Sequence, residues 1–227
     1  MTDTTNRTDV YDKKIFTPSL LFSDLGYLIS HGRAIGRAMK NPEVGRDFIG
    51  KIMMVVTAIN GCTYCTWFHA KQAVEGGMSQ EEMQSMFDLQ FEASATEHEL
   101  PGLLYAQHYA ETNRQPDPDM TARLNDFYGE TTARDVMLMI RVIFFGNLLG
   151  NTFDAFPARL KGQKAPGSNA LFELLFWIAT AWLMLPTKWL MREKKGDDPD
   201  QPAPATGPVS SARIASRRPS AHPPGRG

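Results

Sequence analysis

The sequence predicts an all-α protein, and three observations carry that prediction. Apolar residues recur at helical spacing, as in Phe48, Ile49, Ile52, Met53 and Val56. Helix start and stop signals punctuate the chain at regular intervals. No stretch alternates apolar and polar residues as a half-buried strand would, and no internal repeat is visible.

The elements follow in order. Residues 1–16 are polar and read as a mobile N-terminus without interpretable chemistry. Thr17-Pro18 opens a helix that should run to about Lys40, with Pro at the first helical position. Asn41-Pro42-Glu43 signals a second start. Ile59-Asn60-Gly61 reads as a turn feeding a helix over roughly 61–75, with Asn60 as N-cap and Cys62 in the first turn. Ser79-Gln80-Glu81-Glu82 and Thr96-Glu97-His98-Glu99 are capping boxes. Asp117-Pro118-Asp119 opens a helix to about Tyr128, and Thr131 or Thr132 caps a long one to about Lys161. In that last helix Asn147, Asn151 and Asp154 form one polar stripe. It is a solvated face, a satisfied core network or a polar wall beside the thiols.

The 227 residues suffice for one substantial core with appendages, and a net charge of −1 gives no reason to expect nucleic acid as a partner. Met1–Lys14 lacks the apolar centre of an export signal, so the expected location is the cytoplasm. Ala170–Leu185 is apolar with a single charge, Glu173, and Pro186 should end that helix. Sixteen helical residues reach roughly 24 Å, short of a hydrocarbon core of ~30 Å. Basic residues flank the segment on both sides, and Trp177, Trp182 and Trp189 suit an interface. Its open alternatives are a buried or oligomer-interface helix, an in-plane membrane helix over 170–191, and a true span. The resulting division is 1–16, a helical domain over 17–165, an apolar and membrane-associated candidate over 166–195, and a disordered Pro-, Ser- and Arg-rich tail over 196–227.

Function concentrates at the chain's two cysteines, Cys62-Thr63-Tyr64-Cys65, with His69 four residues on. Residues three and four apart share a helix face, so both thiols and the imidazole can point one way. That set is the minimum for reversible disulfide chemistry. The alternatives are a zinc site, a stapling disulfide and two inert core thiols. Zinc needs a second ligand pair, and His31, His98, His108 and His222 offer no such spacing. A disulfide closing so short a loop constrains the unfolded chain little. Inert burial of small thiols stays open.

The run Ala58–His69 resembles the signature of the carboxymuconolactone decarboxylase-like superfamily, and more closely its AhpD-type alkylhydroperoxidase branch, over roughly Asp47–Met86. The resemblance implies an all-helical, homo-oligomeric AhpD-like domain with peroxiredoxin-type, antioxidant activity. It also implies roles: Cys65 attacks a hydroperoxide, Cys62 resolves the sulfenic acid to a disulfide, and His69 relays the proton. A dithiol protein would serve as reductant, and no metal or other cofactor is needed. One position departs. The branch carries a glutamate twelve residues before the first cysteine, and Gly50 stands there. Asp47 and Asp154 are candidate substitutes, and Tyr64 a candidate hydrogen-bond donor or packing residue. The competing functions are a dithiol–disulfide oxidoreductase, a non-enzymatic membrane-docked redox sensor, and a decarboxylase-type lyase, which would leave the Cys pair without a purpose.

Overall fold

The computed structural model describes residues 10–91 and 94–197, with side chains through Met191. Among these residues the chain forms eight helices, and the all-α expectation holds. The expected disordered tail, beyond the first two of its residues, lies outside the described residues, as do residues 1–9.

Helix α1 (Pro18–Ser30) begins as the sequence dictates, Thr17 Oγ1 accepting from the Leu20 amide. It stops about ten residues early. His31 leaves helical geometry, its ring stacks on Tyr27 at 3.9 Å, and α2 (Gly32–Ala38) follows. Helix α3 (Arg46–Asn60) also starts later than Asn41-Pro42 suggested. The Asn41 side chain instead accepts from Glu43 N at 3.0 Å and donates to Asp135 at 2.9 Å, holding a turn against the long helix.

The thiol helix α4 (Thr63–Glu75) and α5 (Gln80–Phe87) come next, and Ser79 and Glu82 make both bonds of the expected box. Thr96 and Glu99 exchange the same bonds just ahead of α6 (Leu100–Glu111). Helix α7 (Pro118–Leu160) is capped by Asp117 and broken at Gly129, whose φ of 74° only glycine adopts freely. The break falls two residues before the threonines that the sequence suggested. Helix α8 (Ala170–Asp197) runs straight through Pro186, where a stop was expected. Proline withholds one amide from the helix, and the Thr187 hydroxyl donates to the Leu183 carbonyl beside the gap.

Helix α3 is the hub, packing on α4, α6 and α7. Ile52, Val55 and Val56 meet Val136, Ile140, Phe144 and Leu148 of α7 in one buried core. Each such side chain contributes about 1.5–3 kcal/mol by leaving water. Helix α7 is apolar enough to cross a membrane by composition, but it is the core helix of this domain.

Helix α8 lies along α7, tied by a bidentate pair between Arg159 and the buried Glu173 (2.6 and 2.9 Å) and by Trp177 stacked on Phe153. Residues 10–16 are not free, correcting the expectation for the N-terminus. Tyr11 and Phe16 are buried, and their polar atoms bond to Asn151 O and Thr152 Oγ1 of α7. This strap crosses the molecule beside the thiol helix.

Candidate functional site

The thiol site is built at the joint between α3 and α4. Gly61, at φ 67°, closes α3 in the left-handed conformation and turns the chain into Cys62. Asn60 is therefore the last residue of α3 and not a cap. Its carbonyl accepts from Asn151 and its side chain from Lys14, so α7 and the strap together fix the joint. Of the stripe on α7, Asn147 and Asn151 belong to this buried network, Asn147 donating to Thr57 Oγ1 and Ile143 O.

Cys62 is the N-cap itself. Its Sγ accepts from the Cys65 amide at 3.3 Å, the place normally held by a Ser or Asp oxygen. A sulfur there meets the unpaired amides and positive end of the helix, which favour a thiolate. Gly150 of α7 backs onto this sulfur: an added Cβ would lie 2.7 Å from Cys62 Sγ and 3.1 Å from the Tyr64 ring. Only a glycine lets the two helices approach so closely there.

The two cysteines differ in access and in charge. Cys62 is fully buried, whereas Cys65 is half-buried and lines a cleft of about 1290 Å³. Burial pushes the Cys62 thiol up, but hydrogen bonds from the Cys65 side chain and amide, with the Lys13 ammonium, outweigh it and leave it below its usual range. Cys65 goes well above its usual range because its S–H donates to Cys62, and burial adds to that. Of the two thiols, Cys62 is therefore the more readily ionised and Cys65 the less.

His69 lies one turn beyond Cys65 and lines the same cleft. Burial lowers its pKa to about 4, partly opposed by a hydrogen bond with Gln72, so near pH 7 it is neutral and a weak base. Tyr64 lines the same cleft. Its hydroxyl donates to Asp154 at 2.7 Å, and Lys188 of α8 donates to the same carboxylate oxygen at 3.2 Å. Asp154 therefore orients Tyr64 and ties α8 to the thiol helix. Asp47 is exposed at the mouth of the cleft. Gly50 also lines the cleft, and a Cβ added there meets nothing within 4 Å. The space for the missing glutamate is present although the residue is not.

Three contributors escaped sequence reasoning. Lys13 donates to Thr63 Oγ1 at 3.1 Å, placing an ammonium at the first turn of α4, and nothing in a polar N-terminal stretch announced it. Lys188 was equally silent. Gly150 did carry a signal, since a glycine inside an apolar helix asks for a packing reason. Of the remaining histidines, His31 stacks on Tyr27, His98 Nε2 is at the Glu43 carbonyl, His108 Nε2 accepts from Asp117 N, and His222 lies outside the described residues.

Residues 39–108 match the carboxymuconolactone decarboxylase family. That segment holds α3, the Cys pair, α4, α5 and most of α6, and it leaves α7 and α8 outside. No curated protein and no solved structure matches the chain.

Proposed function

From the match of residues 39–108 to the carboxymuconolactone decarboxylase family, we propose that the protein is a thiol peroxidase of the AhpD type, reducing organic hydroperoxides with Cys65 and Cys62. The observation that carries this is the asymmetry of the pair, one sulfur sealed at the helix cap and one open to a large cleft.

The chemistry proceeds in balanced steps. The Cys65 proton passes to His69, and the Cys65 thiolate attacks the terminal oxygen of R–O–OH. The O–O bond breaks, R–O⁻ leaves and takes a proton as the alcohol, and Cys65 becomes a sulfenic acid. Cys62 then attacks that sulfur, the S–O bond breaks, and hydroxide leaves as water once protonated. The peroxide has gained two electrons and the pair has lost two as a disulfide. An external dithiol protein returns them by exchange. The lowered pKa of Cys62 supports this order, because it favours a thiolate there, the charge that the second step requires.

The same charge also supports a second reading, a dithiol–disulfide oxidoreductase in which no peroxide takes part. A lyase role gives the Cys pair nothing to do. On either thiol reading the partners are a hydroperoxide or disulfide, a dithiol reductant and further copies of this chain. The location is cytoplasmic, with α8 offered to a membrane surface.

The test is consumption of cumene hydroperoxide by the reduced protein with a small dithiol as reductant. Turnover lost in Cys65→Ser supports the peroxidase. No turnover in wild type, combined with a mixed disulfide trapped on a thiol substrate, moves the assignment to disulfide exchange.

A further inference from the structure

Among the described residues, one face of α8 has no protein partner. Leu171, Leu175, Ile178, Trp182, Leu185 and Trp189 repeat at spacings of four and three, and each is between 46% and 76% exposed. With Ala179, Leu183, Pro186 and Leu190, also exposed, they fill an uninterrupted apolar arc. At 100° per residue that arc covers about 160° of the helix. No charged side chain points outward between Ala170 and Leu190. Glu173 is buried against Arg159, and Lys188 is turned to Asp154. The opposite face is fastened to the domain along its length by Glu173, Phe176, Trp177, Met184 and Lys188. A helix pinned along one side lies flat and does not span.

The width of the arc selects the occupant. A partner helix of a coiled coil covers a seam two residues wide per heptad, leaving the rest of this arc wet. A lipid surface covers all of it. The ends carry matching charge: Lys161 and Lys164 are exposed at the corner before α8, and Arg192, Lys194 and Lys195 follow the arc in sequence. Paired tryptophans in the C-terminal half suit the headgroup boundary. Thr187, beside the arc, and Met184, on the buried face, form part of the wall of the thiol cleft, and Lys188 reaches Tyr64 through Asp154.

We propose that α8 docks the domain in the plane of an anionic lipid surface, and that the thiol cleft takes its hydroperoxides from membrane lipids. The second clause rests on the peroxidase reading above; the first stands without it. In the lipid case the step is unchanged: the lipid O–O bond breaks, the lipid alcohol remains, and the dithiol supplies both electrons.

The experiment uses the full chain and the double variant Leu175→Asp/Trp182→Asp, with Leu171→Asp/Trp189→Asp as a second, all at exposed positions away from the cleft. Vesicles of phosphatidylcholine with phosphatidylglycerol are compared with phosphatidylcholine alone. Wild type should sediment with the anionic vesicles, with blue-shifted tryptophan emission, and each variant should bind at least about tenfold more weakly while keeping its helical circular dichroism. Phospholipid hydroperoxide in those vesicles should be reduced by wild type and at least about tenfold more slowly by the variants, while both reduce cumene hydroperoxide in buffer equally. Absence of vesicle binding by wild type overturns the docking, as does undiminished binding by both variants. A wild-type dimer that the variants dissolve, without vesicle uptake, overturns it in favour of a contact between copies. Vesicle binding with cumene hydroperoxide untouched leaves the docking standing and removes the peroxidase.

Discussion

Substituting Gly150→Ala probes the tightest point of the site. The added methyl would sit 2.7 Å from Cys62 Sγ, about 1 Å inside ordinary contact, and 3.1 Å from the Tyr64 ring. Both neighbours are buried, so either the sulfur or α7 must move. Overpacking of this kind costs about 1–3 kcal/mol. Alanine returns about 1 kcal/mol through helix propensity. The expected net loss is about 0–2 kcal/mol, or a fall in melting temperature of no more than roughly 8 °C for a chain of this length. The reaction should suffer far more, because a displacement near 1 Å between reacting groups can cost about 10²-fold. Stopped-flow measurement of disulfide formation after one hydroperoxide addition, beside a urea titration, separates the two effects. The expected result is a stable protein whose sulfenic acid persists about 10–100 times longer. Wild-type rates of disulfide closure in Gly150→Ala would refute the claim that this glycine sets the position of Cys62.

Further outcomes follow from the same geometry. Lys13→Met should raise the pH midpoint of thiol alkylation by about half a unit to one unit, with Lys13→Arg restoring it; an unchanged midpoint removes Lys13 from the site. His69 titrates near 4 in the folded protein against 6.5 unfolded. Between those values only the unfolded chain binds the proton, so stability should fall as pH drops from 6.5 to 4, by about 3 kcal/mol in all. His69→Gln should lack that component in urea titrations across the same window, and parallel pH profiles would contradict the burial argument. Gly50→Glu fills open space in the cleft that Cys65 and His69 also line, and it should speed hydroperoxide reduction about tenfold or more, with Gly50→Gln giving no gain. Equal rates in all three would separate this site from a glutamate-assisted relay.

How far the sequence carried the account depends on whether the signal was local. The Ser79 box, the Thr17-Pro18 and Asp117-Pro118 starts and the thiol helix could all be read, because caps and helical spacing are properties of a few neighbouring residues. The Cys pair and His69 were visible for the same reason. Boundaries decided by tertiary contact were not. Asn41 turned to Asp135, ninety-four positions away, instead of capping a helix, and Pro186 stayed within α8 because that helix is held along α7. Asn60 lost its expected cap to Cys62 because Gly61 took the left-handed turn one residue later. Lys13, Lys188 and Asp154 converge on the thiol helix from three distant segments, and no spacing rule joins them. The bonds of Asp154 with Tyr64 and Lys188 gave it a role at Tyr64, where the sequence had offered it to His69.

The most direct test of the central claim is single-turnover oxidation of the fully reduced protein by one equivalent of an organic hydroperoxide, followed by intact mass and sulfenic-acid trapping. Wild type should lose two hydrogens as the disulfide closes. Cys62→Ser should stop at a trapped sulfenic acid, and Cys65→Ser should stay reduced. Thiols that remain reduced in wild type, or a sulfenic acid formed on Cys62 when Cys65 is absent, would contradict the assignment of Cys65 as the sulfur that meets the peroxide.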